Sequence, residues 1–186
     1  MKDIEEILVI DIETTGFKAG EDFILELGAV ELNLITGKRT TLFDKVFKHP
    51  DLTAKHHDAW IFKNGYMTVD EVREAKPIDE DLEELETLFS EFSGRITAWN
   101  RFFDSKFLEY EGFDLGTPLA CPMLQSTSYF KLPKKSGNGY KWPKAQEAWD
   151  RLFPDNPRPE LHRGGDDADF EAIIIKELYD REVYEP

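Results

Sequence analysis

The sequence predicts an α/β fold, a mixed five-stranded sheet with three antiparallel strands first, then alternating helices and strands, flanked by helices. Three observations carry this reading. Three strand-like segments come first, the second and third joined as a hairpin, and helices and strands alternate after them. Ile7-Leu8-Val9-Ile10 is apolar without a break, as in a strand covered on both faces. A length of 186 residues with 40% hydrophobic content suits one domain, residues 1–186, around a single sizeable core.

The elements follow in order. The first strand spans about residues 6–12, and Ile24 to Leu34 gives a second with alternating character. Thr36-Gly37-Lys38 reads as a turn, so that Thr40 to Phe47 returns as a third strand. A helical stretch comes next, and Thr68-Val69-Asp70-Glu71 fits a capping box at the start of a short helix. In the acidic run Asp79 to Glu86, Leu82 and Leu85 continue with Leu88, Phe89 and Phe92 as one helical stripe. The acids therefore form its solvated outer face, and the helix ends near Gly94. A fourth strand is expected at about Arg95 to Trp99, a helix at Phe103 to Glu111 and a fifth strand near Leu119 to Cys121. Helices are expected over Pro122 to Phe130, Pro143 to Phe153 and, last, Asp166 to Arg181. No internal repeat or linker is evident.

Chemistry concentrates where strands end. In Asp11-Ile12-Glu13-Thr14-Thr15-Gly16, two carboxylates leave the first strand on the same side, because side chains two apart on a strand point the same way. Like charges held that close in a partly dry setting repel by kilocalories, and a divalent cation between them is the usual remedy. Six residues of this kind also describe an ordinary solvated strand end. Further along, Asn100-Arg101-Phe102-Phe103-Asp104 places another acid just past the strand at Ile96 to Trp99. His162-Arg163-Gly164-Gly165-Asp166-Asp167-Ala168 puts a histidine on a glycine-rich loop running into the last helix.

Taken in that order, Asp-x-Glu-Thr-Thr-Gly, Asn-x-x-Phe-Asp and His-x-x-x-x-Asp-Ala resemble the three motifs of the DEDDh (DnaQ-like) 3′–5′ exonucleases, which include polymerase proofreading subunits and ribonuclease T. The matching positions are Asp11, Glu13, Asp104, His162 and Asp167, and the resemblance spans nearly the whole chain. It implies a ribonuclease H-like fold and a two-metal mechanism. Cleaving a phosphodiester requires a nucleophilic water, charge stabilisation on the phosphoryl oxygens and help for the leaving 3′ oxygen, and two divalent ions supply all three. Four carboxylates suit Mg2+ or Mn2+, whereas no paired cysteines or His-Glu-x-x-His helix point to zinc. By the resemblance, Asp11 bridges both ions, Glu13 and Asp167 complete the nucleophile side, and Asp104 holds the ion at the leaving group. His162 is then the general base, and Gly164-Gly165 would permit the loop to carry a mobile base. Asp166 serves as a cap or first-turn acid of the last helix, whose Ile173, Ile174 and Leu178 turn to the core.

Substrate contacts are expected at Thr14, Thr15, Gly16, Leu27, Asn100 and Phe103, although Thr14 and Thr15 equally suit the satisfaction of backbone groups in a tight turn. His56 and His57 read as packing residues, and His49 before Pro50 as a turn residue. Lys131 to Lys144 carries five lysines and no acid. Its Lys134, Lys135, Tyr140, Lys141 and Trp142 either track a nucleic-acid backbone while stacking a base or form a solvent loop with two aromatics tucked down. Two departures from the family pattern, Arg101 and the polar spacer Arg163-Gly164-Gly165-Asp166, leave the substrate open.

Composition sets the remaining bounds. The net charge of −15 is an unusual background for nucleic-acid binding, but bound cations would offset several of the acids. The single Cys121 has no internal disulfide partner and reads as a buried hydrophobe. The start Met1 to Glu6 lacks the features of a secretion signal, and no apolar run approaches the roughly 20 residues of a membrane helix. A cytoplasmic enzyme is expected, its partners single-stranded nucleic-acid 3′ ends and nucleoside 5′-monophosphate product. With no long tail after the last helix, a freestanding enzyme is favoured, while a polymerase or homodimer partner stays open, as do roles in DNA repair, RNA degradation or end trimming. The alternatives are an RNA-specific 3′ exoribonuclease, a noncatalytic nucleic-acid-binding or polymerase accessory subunit, and an acidic mimic of nucleic acid.

Overall fold

β1 (Glu6–Thr14), β2 (Ile24–Asn33) and β3 (Arg39–Lys48) form an antiparallel meander, as the alternation and the turn at Gly37 require. They belong to a computed structural model that describes residues 4–186. Met1 to Asp3, the first half of the segment read above as no secretion signal, lie outside the described residues. α1 (Trp60–Lys63) and α2 (Val69–Glu74) follow, then β4 (Lys76–Pro77) and α3 (Leu82–Glu91). β5 (Ile96–Thr97) and α4 (Arg101–Tyr110) lead to α5 (Pro122–Phe130), α6 (Ala145–Leu152) and α7 (Gly164–Asp180). The sheet has five strands in the order β4-β3-β2-β1-β5, with β5 parallel to β1 and β4 parallel to β3.

The expected fifth strand at Leu119 to Cys121 is not one. The Leu119 N–H donates to the Ile96 carbonyl (2.8 Å) and Thr97 Oγ1 to the Ala120 carbonyl (3.0 Å), so the segment lies beside β5. Pro118 and Pro122 bracket it, removing donors on either side and starting α5 at once, so no ladder extends. The fifth strand is instead Lys76–Pro77, on the opposite edge. The fourth is trimmed to two residues, Ile96–Thr97.

Period-two alternation divides β1 between two cores. Ile7 and Val9 pack with Val30 and Leu32 against α5, α6 and α7, through residues such as Trp149, Phe170, Ile174 and Leu178. Leu8, Ile10 and Ile12 face Leu85, Phe89, Phe107 and Leu108 of α3 and α4. The acidic helix behaves as its stripe predicts: Leu85, Leu88, Phe89 and Phe92 are buried while Glu83 and Glu86 are exposed. In α7 the fully buried residues include Ile174, Ile175 and Leu178, with Ile173 only packed at the margin. Thr68 caps α2 by accepting the Glu71 N–H (3.1 Å), but the reciprocal half of the expected capping box is missing because the Glu71 carboxylate pairs with Arg163 (2.7 Å). Among the described residues, no helix is long and apolar enough to cross a membrane.

One close approach sets the position of α7. Asp11 faces Gly28 directly in the β1–β2 register. A Cβ at Gly28 would lie 2.0 Å from the Gly164 carbonyl oxygen, so only glycine lets the start of α7 settle onto the sheet there. Gly165 is as constrained, since a Cβ would meet the Asp44 carboxylate at 2.3 Å. Gly28→Ala should therefore lower the unfolding free energy by about 1–3 kcal/mol through overpacking and displace Asp167 from the site. Urea denaturation with a metal-binding titration checks this, and wild-type values for both would refute it.

Candidate active site

β1 continues past its apolar row into the site. Ile7, Val9, Asp11 and Glu13 share one face, the face covered by α7, so both carboxylates emerge beneath the first turn of that helix. Asp167 is the fourth residue of α7, and its Oδ1 accepts the Leu161 N–H at 3.0 Å. Asp104, in the first turn of α4, is buried and its Oδ1 accepts the Ile12 N–H at 3.3 Å, which ties α4 to β1 between the two strand acids. One ligand atom each of Glu13, His162 and Asp167 lie within 4.8 Å of one another. The three motifs thus meet at one end of the sheet.

The electrostatics there are unfavourable without cations. Burial, followed by the charges of Glu171, Glu13, Asp104 and Asp167, holds the Asp11 carboxyl well above its ordinary value. Glu13 is pushed up to about 8 by burial first and by Asp167 next. Burial raises Asp104 to about 7 against the lowering effect of its backbone donors. Asp167 reaches only about 6, because N–H groups of Leu161, His162 and Arg163 offset its burial. A cluster of hard oxygen donors that must take up protons in the absence of positive charge fits divalent Mg2+ or Mn2+.

His162 is held by its surroundings. Its backbone is left-handed (φ 56°), and its ring meets Trp60 edge-on (4.8 Å between centroids) and Tyr66 (4.3 Å). Burial and, after it, the nearby Lys144 ammonium lower its pKa, which favours the neutral imidazole. The glycines expected to free this loop do the opposite: Gly164 and Gly165 are buried packing positions and already helical. Arg163 closes the arrangement with a fork on the buried Glu26 (Nε to Oε2 2.9 Å) and a second contact to Glu71.

Beside the acids runs a cleft of about 600 Å3 whose walls include Thr14, Thr15, Gly16, Phe17, Trp60 and Phe103. Thr14 Oγ1 donates to the Gly16 carbonyl (2.6 Å), and Thr15 Oγ1 accepts the Phe23 N–H (3.0 Å), so both hydroxyls serve the turn while lining the cleft. Two expected contacts fall elsewhere. Leu27 is fully buried in the core opposite Ile12, leaving no surface for a base, and Asn100 is exposed at the start of α4 and is not among the cleft residues. Arg101 lies over the Phe102 ring at 4.1 Å. His56 is buried, its Nδ1 accepting the Thr53 N–H (3.0 Å), as the packing reading describes, while the His49 Nδ1 accepts the Asp51 N–H (3.2 Å), as a turn residue does, and its ring stacks on Phe23.

Several functional neighbours have no place in the motifs. Glu171 is buried one helical turn after Asp167, accepts the Trp99 N–H (2.9 Å), and is the strongest of the charges raising Asp11. The (i, i+4) spacing on one helix face was its only signal. Glu160 is raised to about 7 by burial and then by Asp167. Gly28 carried the mark of an isolated glycine inside a strand. Trp60 and Tyr66 carried none.

Residues 8–175 match the family model described as Exonuclease (RNase_T). The chain belongs to the DEDDh (DnaQ-like) exonuclease family. Among curated proteins it is similar to a DNA polymerase III PolC-type of Clostridium perfringens (strain 13 / Type A), with 29% identity over 183 residues; the match covers 92% of this chain and 11% of the relative. Among solved structures, a full-length 3′-exonuclease superposes with TM-score 0.68 at 16% identity, covering 97% of this chain and 62% of that one. The nuclease domain of 3′hExo, a DEDDh family member bound to rAMP, gives 0.66 at 18% identity over 95% and 92%. E. coli Exonuclease I in complex with a dT13 oligonucleotide gives 0.68 at 13% identity over 96% and 42%. These exonuclease folds share the ribonuclease H-like arrangement described above.

Proposed function

We propose that this exonuclease-family chain is a divalent-metal-dependent 3′–5′ exonuclease that releases nucleoside 5′-monophosphates from single-stranded DNA ends. The observation that carries the reading is the convergence of Glu13, His162 and Asp167 within 4.8 Å, with Asp11 on the same strand face as Glu13. Asp11 would be shared between two ions, with Glu13 and Asp167 on the side of the attacking water and Asp104 on that of the leaving 3′ oxygen. These four carboxylates would hold the ions, whose chemistry when bound would be charge neutralisation at the phosphoryl oxygens and a lowered pKa of the attacking water. His162, kept neutral by burial, accepts the proton of that water. The edges of Trp60 and Tyr66 fix its ring, so the base is positioned before substrate arrives. The cleft walled by Phe17, Trp60 and Phe103 receives the terminal nucleotide.

The choice of DNA rests on the PolC-type relative, which also makes a polymerase the partner to test first. RNA is the second reading, favoured by the rAMP bound to the 3′hExo nuclease domain.

Single strands of DNA and RNA labelled at the 5′ or the 3′ end, incubated with Mg2+, Mn2+ or chelator, test the whole reading. A 5′-labelled ladder that shortens stepwise, with the 3′ label leaving as mononucleotide and no reaction in chelator, is the expected result. Internal cuts, shortening from the 5′ end, or chelator-resistant reaction would overturn it.

A further inference from the structure

The segment from Lys131 to Lys144 is anchored at the rim of the active site. Lys131 caps α5 in the left-handed region (φ 52°) and the chain then turns back on itself. Pro133 bridges Tyr140 antiparallel, the Lys134 N–H donates to the Gly139 carbonyl (3.3 Å), and the Lys141 N–H to the Leu132 carbonyl (2.8 Å). The base of this hairpin is pinned from below: Leu132 is buried, and the Trp99 indole N–H donates to the Pro143 carbonyl at 3.0 Å. Trp99 is the residue whose backbone Glu171 holds, directly before the motif that delivers Asp104. At the end of the hairpin, Lys144 lies close enough for its charge to act on both His162 and Glu160. One end of a basic segment is thereby fastened beside the general base.

Most of its ammonium groups have no ion-pair partner. Among the described residues, Lys131, Lys134, Lys135 and Lys144 form no ion pair, although the chain carries 38 acids, while Lys141 pairs with Glu147 and stiffens the stem. The two aromatics are not tucked against the next helix: Trp142 is 64% exposed and Tyr140 44%. Lys134, Lys141 and Trp142 line a groove of about 290 Å3. Free cations alternating with exposed aromatic faces match a polyanion that also presents flat bases for stacking. In a protein of charge −15, this run of five lysines without an acid is suited to attract such a chain.

We infer that the hairpin Lys131–Lys144 is the track for the single strand trailing behind the scissile end, with Lys134, Lys135 and Lys144 on successive phosphates and Trp142 stacked on a base. The inference deepens the proposed function and rests on it for the direction of the strand. The track compensates for the acidity around the metal site: affinity for polymer resides in the hairpin, while the site contributes chemistry at the terminal nucleotide.

Fluorescence anisotropy of 5′-fluorescein-labelled (dT)20 and (rU)20, in chelator so that the strand is not consumed, separates this inference from the hydrolytic reading. Strand shortening in chelator would count against the proposed function, whereas Kd decides the hairpin. The triple variant Lys134→Gln/Lys135→Gln/Lys144→Gln should raise Kd at least about tenfold and reduce the slope of log K against log salt by about 2, given about 0.7 per phosphate contact on a single strand. Trp142→Ala, at an exposed position that folding tolerates, should raise Kd about fivefold or more. A control that removes two charges outside the hairpin, Lys38→Gln/Lys48→Gln, should bind as wild type. Unchanged Kd in the hairpin variants, equal loss in the control, or equal hairpin-dependent binding of a twenty-residue polyglutamate would overturn the inference.

Discussion

Asp11→Asn is expected to lower metal-dependent hydrolysis by roughly 10³-fold or more, the scale on which a preorganised electrostatic partner of a transition state is lost. Asp11 is the acid that every other carboxylate of the cluster pushes upward, after burial itself. The same substitution should stabilise the metal-free protein. A carboxyl whose folded pKa is raised costs the native state nothing while it is protonated in both states, below about pH 4. The cost appears above the unfolded value and grows until the folded pKa is passed, about 8 for Glu13 and about 7 for Asp104. The melting-temperature gain of Asp11→Asn in chelator should therefore be small at pH 5 and several degrees at pH 8, and saturating Mg2+ should narrow it. Thermal unfolding with and without metal at the two pH values measures this. A gain independent of both pH and metal would refute the electrostatic account.

The second large effect is expected at His162. His162→Ala should reduce kcat by about 10²–10⁴-fold, the usual range for a lost general base, while the melting-temperature gain on adding Mg2+ persists. The groups facing it set the pH profile. Burial and Lys144 keep the imidazole neutral, while Glu13 and Asp167 beside it take up protons as pH falls. At limiting metal, activity should therefore decline from about pH 8 downward, because protons compete with the cation for Glu13 and Asp104. At saturating metal the acidic limb should move below the ordinary histidine value near 6.5. Profiles of kcat/KM at two metal concentrations provide the check, and coincident limbs would remove this competition from the explanation. Full turnover by His162→Ala would remove the residue from the base role.

The division of β1 into two core faces, the Asp11/Glu13 pair and the amphipathic α3 were legible because each depends on a short period in the chain. The end elements were not. Leu119 to Cys121 has the composition of a strand, yet prolines on both sides leave it a single backbone bond beside β5, and the actual fifth strand, Lys76–Pro77, is too short to carry any pattern. Leu27 illustrates a different failure: a family-derived contact assigned to a residue that the register of β2 turns into the core. Gly164 and Gly165 read as loop freedom and are instead places where backbone meets backbone or a carboxylate, which a linear pattern does not distinguish.

By itself, then, the sequence determined the ordered acids and histidine, the strand ends that carry them and the amphipathic faces that bury the rest, since those follow from spacing along one chain. Tertiary structure alone decided which distant residues share the site. Glu171 behind Asp11, the Trp60 and Tyr66 edges on His162, and the indole of Trp99 that pins the basic hairpin beside Lys144 all arise from contacts between segments far apart in sequence. The reason is physical: a carboxylate's pKa, an imidazole's orientation and a lysine's reach depend on what packing brings within a few ångströms, and Gly28 opposite Asp11, with room for no side chain, sets that packing.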